Sequence, residues 1–170
     1  MNARLLLLAL FAACLAVFSP AAVAQQAVPT DVELRSAYCL SVIKGDIDLQ
    51  HKMIAQVDAG LKNAPTPELQ QQATKVNAEL REGLTKFEAV LNRLQLYLLP
   101  RMGSRDPIAL TAAMKRGEVD VQEVMAMAER CSARCDPLPG NQPAACNASC
   151  IDNDLVMRVQ ACTTPTWLPF

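Results

Sequence analysis

The sequence has few of the side chains on which most enzymes depend. Of its 170 residues, one is histidine, one is tryptophan and 4% are aromatic. It contains no GxSxG nucleophile elbow, no HExxH zinc motif, no phosphate-binding P-loop and no GxGxxG dinucleotide motif. The single histidine, His51, stands between Gln50 and Lys52, a polar context that is typical of a solvated surface residue. We therefore predict no catalytic residue and no cofactor.

The chain also lacks concentrated charge and a second long apolar run. Its formal net charge is −1, and no block of like charge stands out. Nucleic acids and anionic membranes attract concentrated positive charge, so neither is a predicted partner. Beyond residue 24, no apolar run approaches the roughly 18 residues that a membrane-spanning helix needs. We therefore expect no membrane association once the leader described next has been removed.

The first 24 residues have the organisation of a secretory signal peptide. Arg4 supplies the positive charge, residues 5–17 form the apolar run, and Ala22-Val23-Ala24 is a small-residue cleavage site. An alanine-rich leader of this kind is typical of bacterial export. We therefore predict cleavage after Ala24 and a mature protein that is periplasmic or secreted.

Two other fates of the leader are less well supported. The segment before Cys14 resembles a lipoprotein box, but Phe11 fits that motif poorly and a better cleavage site follows. Retention as a membrane anchor is disfavoured by Pro20 and by the small-residue site. Cleavage leaves residues 25–170, a chain of 146 residues with a formal charge of −2, which suits a single domain.

Six cysteines remain in the mature chain, and an even number in an oxidising compartment favours disulfides. Four of them form a twinned pattern, Cys131-x3-Cys135 and Cys146-x3-Cys150, on either side of a Pro/Gly-rich loop. Residues four apart lie on one face of a helix. The pattern therefore predicts an antiparallel helical hairpin over 131–150, with nested disulfides Cys135–Cys146 and Cys131–Cys150.

The other two cysteines lie at opposite ends of the mature chain. Cys39 belongs to the first predicted helix, and Cys162 follows the last one. Their pairing predicts a third disulfide that closes the bundle. A loop of that size is worth about 4–5 kcal/mol in a chain-entropy treatment.

The twin CxxxC spacing resembles that of two known groups of proteins. These are the helical-hairpin peptides of plants and the twin-CxxxC chaperones of the mitochondrial intermembrane space. The resemblance covers residues 131–150 and rests on cysteine spacing. The long helices before it and the cleavable leader have no counterpart in the mitochondrial group, so the resemblance implies the stapled hairpin and nothing beyond it.

Metal binding is the alternative use of the four clustered cysteines. Thiolates bind Zn²⁺ and Cu⁺, and Met125 and Met127 nearby are suitable copper ligands. Zinc sites, however, usually have CxxC spacing, and His51 would have to contribute from a distant helix. Methionines at helical spacing more often fill cores. We therefore predict structural disulfides and no metal centre.

Prolines divide the mature chain into helical intervals, and no interval shows sustained strand alternation. The fold class is therefore all-α, an elongated antiparallel bundle of four to five helices that ends in the disulfide-stapled hairpin. Thr30 or Asp31 caps the first helix, and Gly45 leaves open whether that helix is split. The predicted helices are 31–64, 67–99, 107–117, 120–135 and 143–161, followed by a Pro-rich tail over 163–170.

The helix over 67–99 has the clearest pattern. Nine apolar positions from Leu69 to Leu98 are separated by eight steps over 29 residues, or 3.625 residues per turn. This spacing is close to that of a straight helix and longer than the heptad period of 3.5. A helix of this length extends roughly 50 Å. We predict one continuous helix whose apolar stripe is buried against partner helices.

These observations favour an exported, non-enzymatic helical protein that acts by binding another protein, as an adaptor, a chaperone-like protein or a structural element. Long amphipathic helices with a small disulfide clamp provide surface rather than a catalytic pocket. Periplasmic copper handling through Cys131, Cys135, Cys146 and Cys150 is the first alternative, and an enzyme of an unrecognised type is the second. The pattern leaves the partner, the oligomeric state and the pathway open.

Overall fold

The computed structural model describes residues 26–137 and 142–169, and the regular structure in this part of the chain is helical. The five helices are α1 (Asp31–Leu61), α2 (Pro67–Met102), α3 (Pro107–Cys135), α4 (Gln142–Cys150) and α5 (Asn153–Gln160). The prediction of an all-α fold with a C-terminal stapled hairpin is thus confirmed. The predicted leader and its cleavage site lie outside the described residues.

The start of α1 is fixed by a reciprocal cap. Thr30 Oγ1 accepts a hydrogen bond from the Glu33 backbone N–H at 3.3 Å, and Glu33 Oε2 accepts from the Thr30 backbone N–H at 2.7 Å. Arg105 Nε also donates to Glu33 Oε1 at 2.9 Å, which ties α1 to the α2–α3 loop. Burial opposes ionisation of Glu33, but these hydrogen bonds from Thr30 and Arg105 hold its pKa below the ordinary value.

Glycines at the α1–α3 contact allow the two helices to approach closely. A Cβ on Gly45 would lie 2.9 Å from Val121 Cγ1, and one on Gly117 would lie 2.4 Å from the carbonyl oxygen of Tyr38. Helix α1 continues through Gly45 without a break. The sequence had left open whether this helix is split there. The predicted break in α3 between residues 117 and 120 is wrong, because Gly117 serves packing and does not end a helix.

Helix α2 is continuous, as predicted, and extends to Met102. Burial along its stripe is uneven, however. Leu94 and Leu98 are 0% exposed, whereas Leu69 and Val76 are 47% and 39% exposed. The prediction of a stripe buried along its whole length is therefore wrong for the N-terminal half of α2.

The predicted single helix over 143–161 is also wrong, since the structure has two helices there. Helix α4 ends at Cys150, and Asp152 then caps α5 by accepting hydrogen bonds from the backbone N–H groups of Asp154 and Leu155 at 3.0 and 3.1 Å. The tail that follows is not helical. Its Leu168 is buried and packs in the main core.

The main core surrounds the first half of α1, which packs against both α2 and α3. It draws buried side chains from α1, α2, α3, α5 and the tail: Cys39, Val42, Ile43, Ile47, Leu94, Tyr97, Val121, Val159, Cys162 and Leu168. The distal part of the α1–α2 hairpin, residues 53–80, contains only two buried side chains, Ile54 and Asn77. We call these residues the hairpin arm.

Candidate functional site: the hairpin arm and an arginine-lined cleft

The six cysteines of the described residues form three disulfides. The S–S distances are 1.98 Å for Cys131–Cys150, 1.99 Å for Cys135–Cys146 and 2.01 Å for Cys39–Cys162. These are the pairs that cysteine spacing predicts. Each of these six sulfur atoms is bonded to another, so none of the six is a thiolate that could bind a metal.

The described residues contain no group of three or more His, Cys, Asp or Glu side chains that could hold a metal ion. His51 is exposed on α1. Across residues 26–137 and 142–169, no helix has both the length and the apolar character needed to cross a membrane. The features that stand out in this part of the chain are two surfaces, one on the hairpin arm and one between α1, α3 and α5.

The hairpin arm exposes the N-terminal part of the α2 stripe. Leu69, Val76 and Met53 are 47%, 39% and 38% exposed, and Val57 is half-buried beside them. A shallow groove of about 280 Å³ runs along this face. Its lining is entirely uncharged: Val57, Gly60, Leu69, Gln72, Ala73 and Val76.

A polar cluster holds the two helices of the arm together. Asn77 Nδ2 donates a hydrogen bond to Asp58 on α1, and Arg81 Nε donates to Asn77 Oδ1 at 2.6 Å. Arg81 Nη2 also lies 3.1 Å from Asp58 Oδ2. Because hydrogen bonds are directional, this cluster fixes the register of α1 and α2 while their apolar face stays open.

The second surface is a cleft of about 800 Å³ between α1, α3 and α5. Three arginines, one from each helix, line it together with Tyr38. The apolar part of the lining consists of Leu34, Ala112, Ala113, Met157 and Ala161. Small side chains on α3 and after α5 leave room between the helices, which is why a cleft forms there.

A buried carboxylate organises the polar side of this cleft. Tyr38 Oη donates to Asp120 Oδ2 at 2.9 Å, and Arg158 Nε lies 3.6 Å from the same oxygen. Burial and the hydrogen bond to Asp120 raise the pKa of Tyr38 to about 12, against the smaller lowering effects of Arg158 and Arg116. Tyr38 therefore remains protonated at neutral pH and continues to donate to Asp120.

The other two arginines are held differently. The Arg35 guanidinium lies 4.8 Å from the centroid of the Trp167 ring, a cation–π contact between α1 and the C-terminal tail. Arg116 is exposed on α3, and no ion pair with an acidic side chain forms there among the described residues. The lining of the cleft therefore has three guanidinium groups, and the buried carboxylate of Asp120 contacts two of the lining side chains, Tyr38 and Arg158.

Sequence reasoning missed this cleft. Its four polar side chains, Arg35, Tyr38, Arg116 and Arg158, come from three helices that are distant in sequence. Only the i, i+3 spacing of Arg35 and Tyr38 is local, and that spacing alone is common on solvated helix faces. The apolar stripe of α2, in contrast, was clear from the sequence, although its exposure on the hairpin arm was not.

Comparison with protein-family models, with curated proteins and with solved structures finds no match. The two surfaces are therefore the basis for inferring a function.

Proposed function

We propose that this protein is an exported, non-enzymatic binding protein whose hairpin arm docks another protein. The observation that carries the proposal is the exposure of Leu69 and Val76 on an otherwise regular apolar stripe. These two residues line one groove instead of standing singly, and contiguous exposed apolar surface is typical of interaction sites. Uncharged lining in the arm groove favours an apolar face on the partner.

The shape of the arm favours a helical partner. Two antiparallel helices present a long, shallow groove, and an amphipathic helix placed in such a groove buries residues at i, i+3, i+4 and i+7. A third helix there would cover the part of the α2 stripe that the main core does not reach. The partner's segment would therefore be an amphipathic helix with few charges on its docking face.

The leader sequence and the disulfides support the exported setting. The leader sequence predicts secretion, the described cysteines are disulfide-bonded, and disulfides persist mainly in oxidising compartments. We propose a bacterial periplasmic or secreted location, with cleavage after Ala24. N-terminal sequencing of the exported protein tests the cleavage site, and a chain that begins at Met1 or at a lipidated Cys14 would contradict it.

The docking proposal is tested by paired charge substitutions. Leu69→Lys combined with Val76→Lys places two charges on the arm face, and both side chains are exposed, so the fold should persist. Ile108→Lys is the matched control, because Ile108 is 78% exposed and lies outside the arm. A photo-reactive residue at position 72, introduced into the exported protein with no other change, should crosslink a partner helix. Mass spectrometry would identify the crosslinked segment.

The expected result is loss of that crosslink in the Leu69→Lys/Val76→Lys variant and its retention in Ile108→Lys. An unchanged crosslink in the double variant would refute docking through the arm. A crosslink between two copies of this chain, accompanied by dimers in sedimentation, would assign the arm to self-association instead.

A further inference from the structure

The cleft between α1, α3 and α5 is separate from the hairpin arm and has a different chemistry. We propose that this cleft binds a free aliphatic carboxylate, with the carboxylate at the arginines and the alkyl chain along the apolar wall. Its volume of about 800 Å³ lies within the range of roughly 300–1,000 Å³ that is usual for small-molecule sites. Mostly apolar walls with a few converging polar groups are the usual composition of such sites.

Charge in the cleft favours an anionic ligand. The lining contains three guanidinium groups, and the buried carboxylate of Asp120, 3.6 Å from Arg158, offsets one of them. The cleft is therefore left with an excess of two positive charges. Tyr38 Oη already donates to Asp120, so its ring contributes apolar surface and its hydroxyl is not free to hold the ligand. The arginines must therefore supply the hydrogen bonds to the headgroup.

Arg116 is the arginine best placed to bind the headgroup. Arg158 already lies 3.6 Å from Asp120, and Arg35 already stacks on Trp167. A guanidinium group binds a carboxylate through two parallel hydrogen bonds, a geometry that an alcohol headgroup cannot match. Selectivity for a carboxylate over an alcohol of equal chain length is therefore the signature of this site.

The apolar wall favours a flexible chain over a rigid ring. Ala113 and Ala161 leave space rather than fill it, and Met157 is 65% exposed at the edge of the cleft. A methionine side chain is unbranched and adapts its shape to what it contacts. An alkyl chain in the cleft would cover Met157 and remove apolar surface from water.

Titration calorimetry of the full oxidised protein with octanoate and with 1-octanol tests the proposal. Octanoate should bind at least tenfold more tightly than octanol, because charge-assisted hydrogen bonds are the stronger kind. Arg116→Ala should weaken octanoate binding by roughly tenfold or more and leave octanol binding unchanged. Arg130→Ala, which removes the same charge from an exposed position of α3 outside the cleft, should change neither.

A filled cleft provides the second variant. Ala112→Trp introduces a large side chain at an exposed position of the lining, so folding should persist, which circular dichroism would verify. This variant should bind neither compound. Normal octanoate binding by it, or equal affinities for octanoate and octanol that Arg116→Ala leaves unchanged, would overturn the proposal.

Two further measurements distinguish a free-carboxylate site from the hairpin arm and from a lipid-binding surface. The Leu69→Lys/Val76→Lys variant should bind octanoate like the wild type, so failure of the arm proposal and failure of this one are distinguishable. Sedimentation with phosphatidylglycerol vesicles tests whether the arginines serve a lipid surface. Binding to vesicles without binding to octanoate would overturn the proposal of a free carboxylate ligand.

Discussion

The two helical hairpins of this protein are stabilised by different means. Helices α1 and α2 have 31 and 36 residues and pack without a disulfide between them, whereas α4 has nine residues and no buried side chain. Two disulfides join α4 to α3. An isolated helix of nine residues is unstable in water, since helices shorter than about 12–15 residues rarely form alone. The two disulfides therefore stabilise α4, because this helix is too short to be stabilised by burying apolar side chains.

A second difference lies within the α1–α2 hairpin itself. Its proximal part belongs to the main core, and its distal part is the hairpin arm, where most of the side chains are exposed. The same sequence period thus yields a buried stripe at one end and a half-exposed one at the other. The sequence period determines which face of a helix is apolar, and the neighbouring elements determine how much of that face is buried.

Among single substitutions, the largest expected effect comes from leucine positions along α2. Leu94→Ala should cost about 3–4 kcal/mol of unfolding free energy, because its side chain is 0% exposed. Leu84→Ala, at a half-buried position, should cost about 1–2 kcal/mol, and Leu69→Ala less than about 0.5 kcal/mol. Urea denaturation of the three variants measures this gradient. Equal losses at Leu69 and Leu94 would mean that the arm is covered in solution.

Removal of the two hairpin disulfides takes four substitutions, and its effect should be concentrated in α4. Serine at all four hairpin cysteines should unfold α4 and leave α1 and α2 helical, because each bond is worth about 3 kcal/mol for a loop of this size. Hydrogen exchange should then rise over residues 142–150 and stay slow at Leu94. Slow hydrogen exchange in α4 without its disulfides would show that side-chain burial, and not the disulfides, stabilises this helix. Serine at Cys39 and Cys162 is the matched comparison, and it should destabilise the main core.

A pair of glycine substitutions compares the two long helix contacts. Gly117→Ala should destabilise by about 2 kcal/mol, because the new Cβ would lie 2.4 Å from the Tyr38 carbonyl oxygen. Gly83→Ala should instead stabilise by about 0.5–1 kcal/mol, since its Cβ would meet only Gln50, with Nε2 at 3.6 Å, and alanine favours the helix. Thermal denaturation of both variants gives the signs. A neutral Gly117→Ala would indicate that α1 and α3 are farther apart than the structure has them.

The smallest expected effect is a pH dependence that originates in α1. Burial raises the pKa of Asp46 to about 6. Because the folded-state pKa exceeds the unfolded one, stability is fully present below the ordinary pKa and falls as the pH rises toward and through about 6. Near pH 8, Asp46→Asn should therefore be more stable than the wild type by about 1 kcal/mol, a value that includes a reduction for solvent screening. At acidic pH the two proteins should be equally stable. Urea denaturation at both pH values measures this, and Asp48→Asn, at an exposed position, is the control that should show no such difference.

Cysteine positions predicted the structure better than glycine positions did. Cysteine spacing predicted the two hairpin pairs that the structure contains, because four-residue steps on helices leave few alternatives that suit the geometry. Cys39 and Cys162 were the two cysteines that remained, and they are paired in the structure. Gly117 was misinterpreted as a helix end, because the local sequence does not reveal that the Tyr38 backbone lies against it. The break after Cys150 was missed as well, although Asp152 is a residue type that commonly caps helices.

The sequence by itself determined the helical class, a cap near Thr30, the continuous α2 and the two cysteine pairs of the hairpin. Each of these follows from interactions within a few residues or from a repeating period. Tertiary structure alone decided that α1 and α3 approach at glycine, that the α2 stripe is exposed on the hairpin arm, and that Arg35, Arg116 and Arg158 share one cleft. Those outcomes depend on which helices pack against each other. The residues involved are far apart in sequence, so no local sequence pattern predicts their contact.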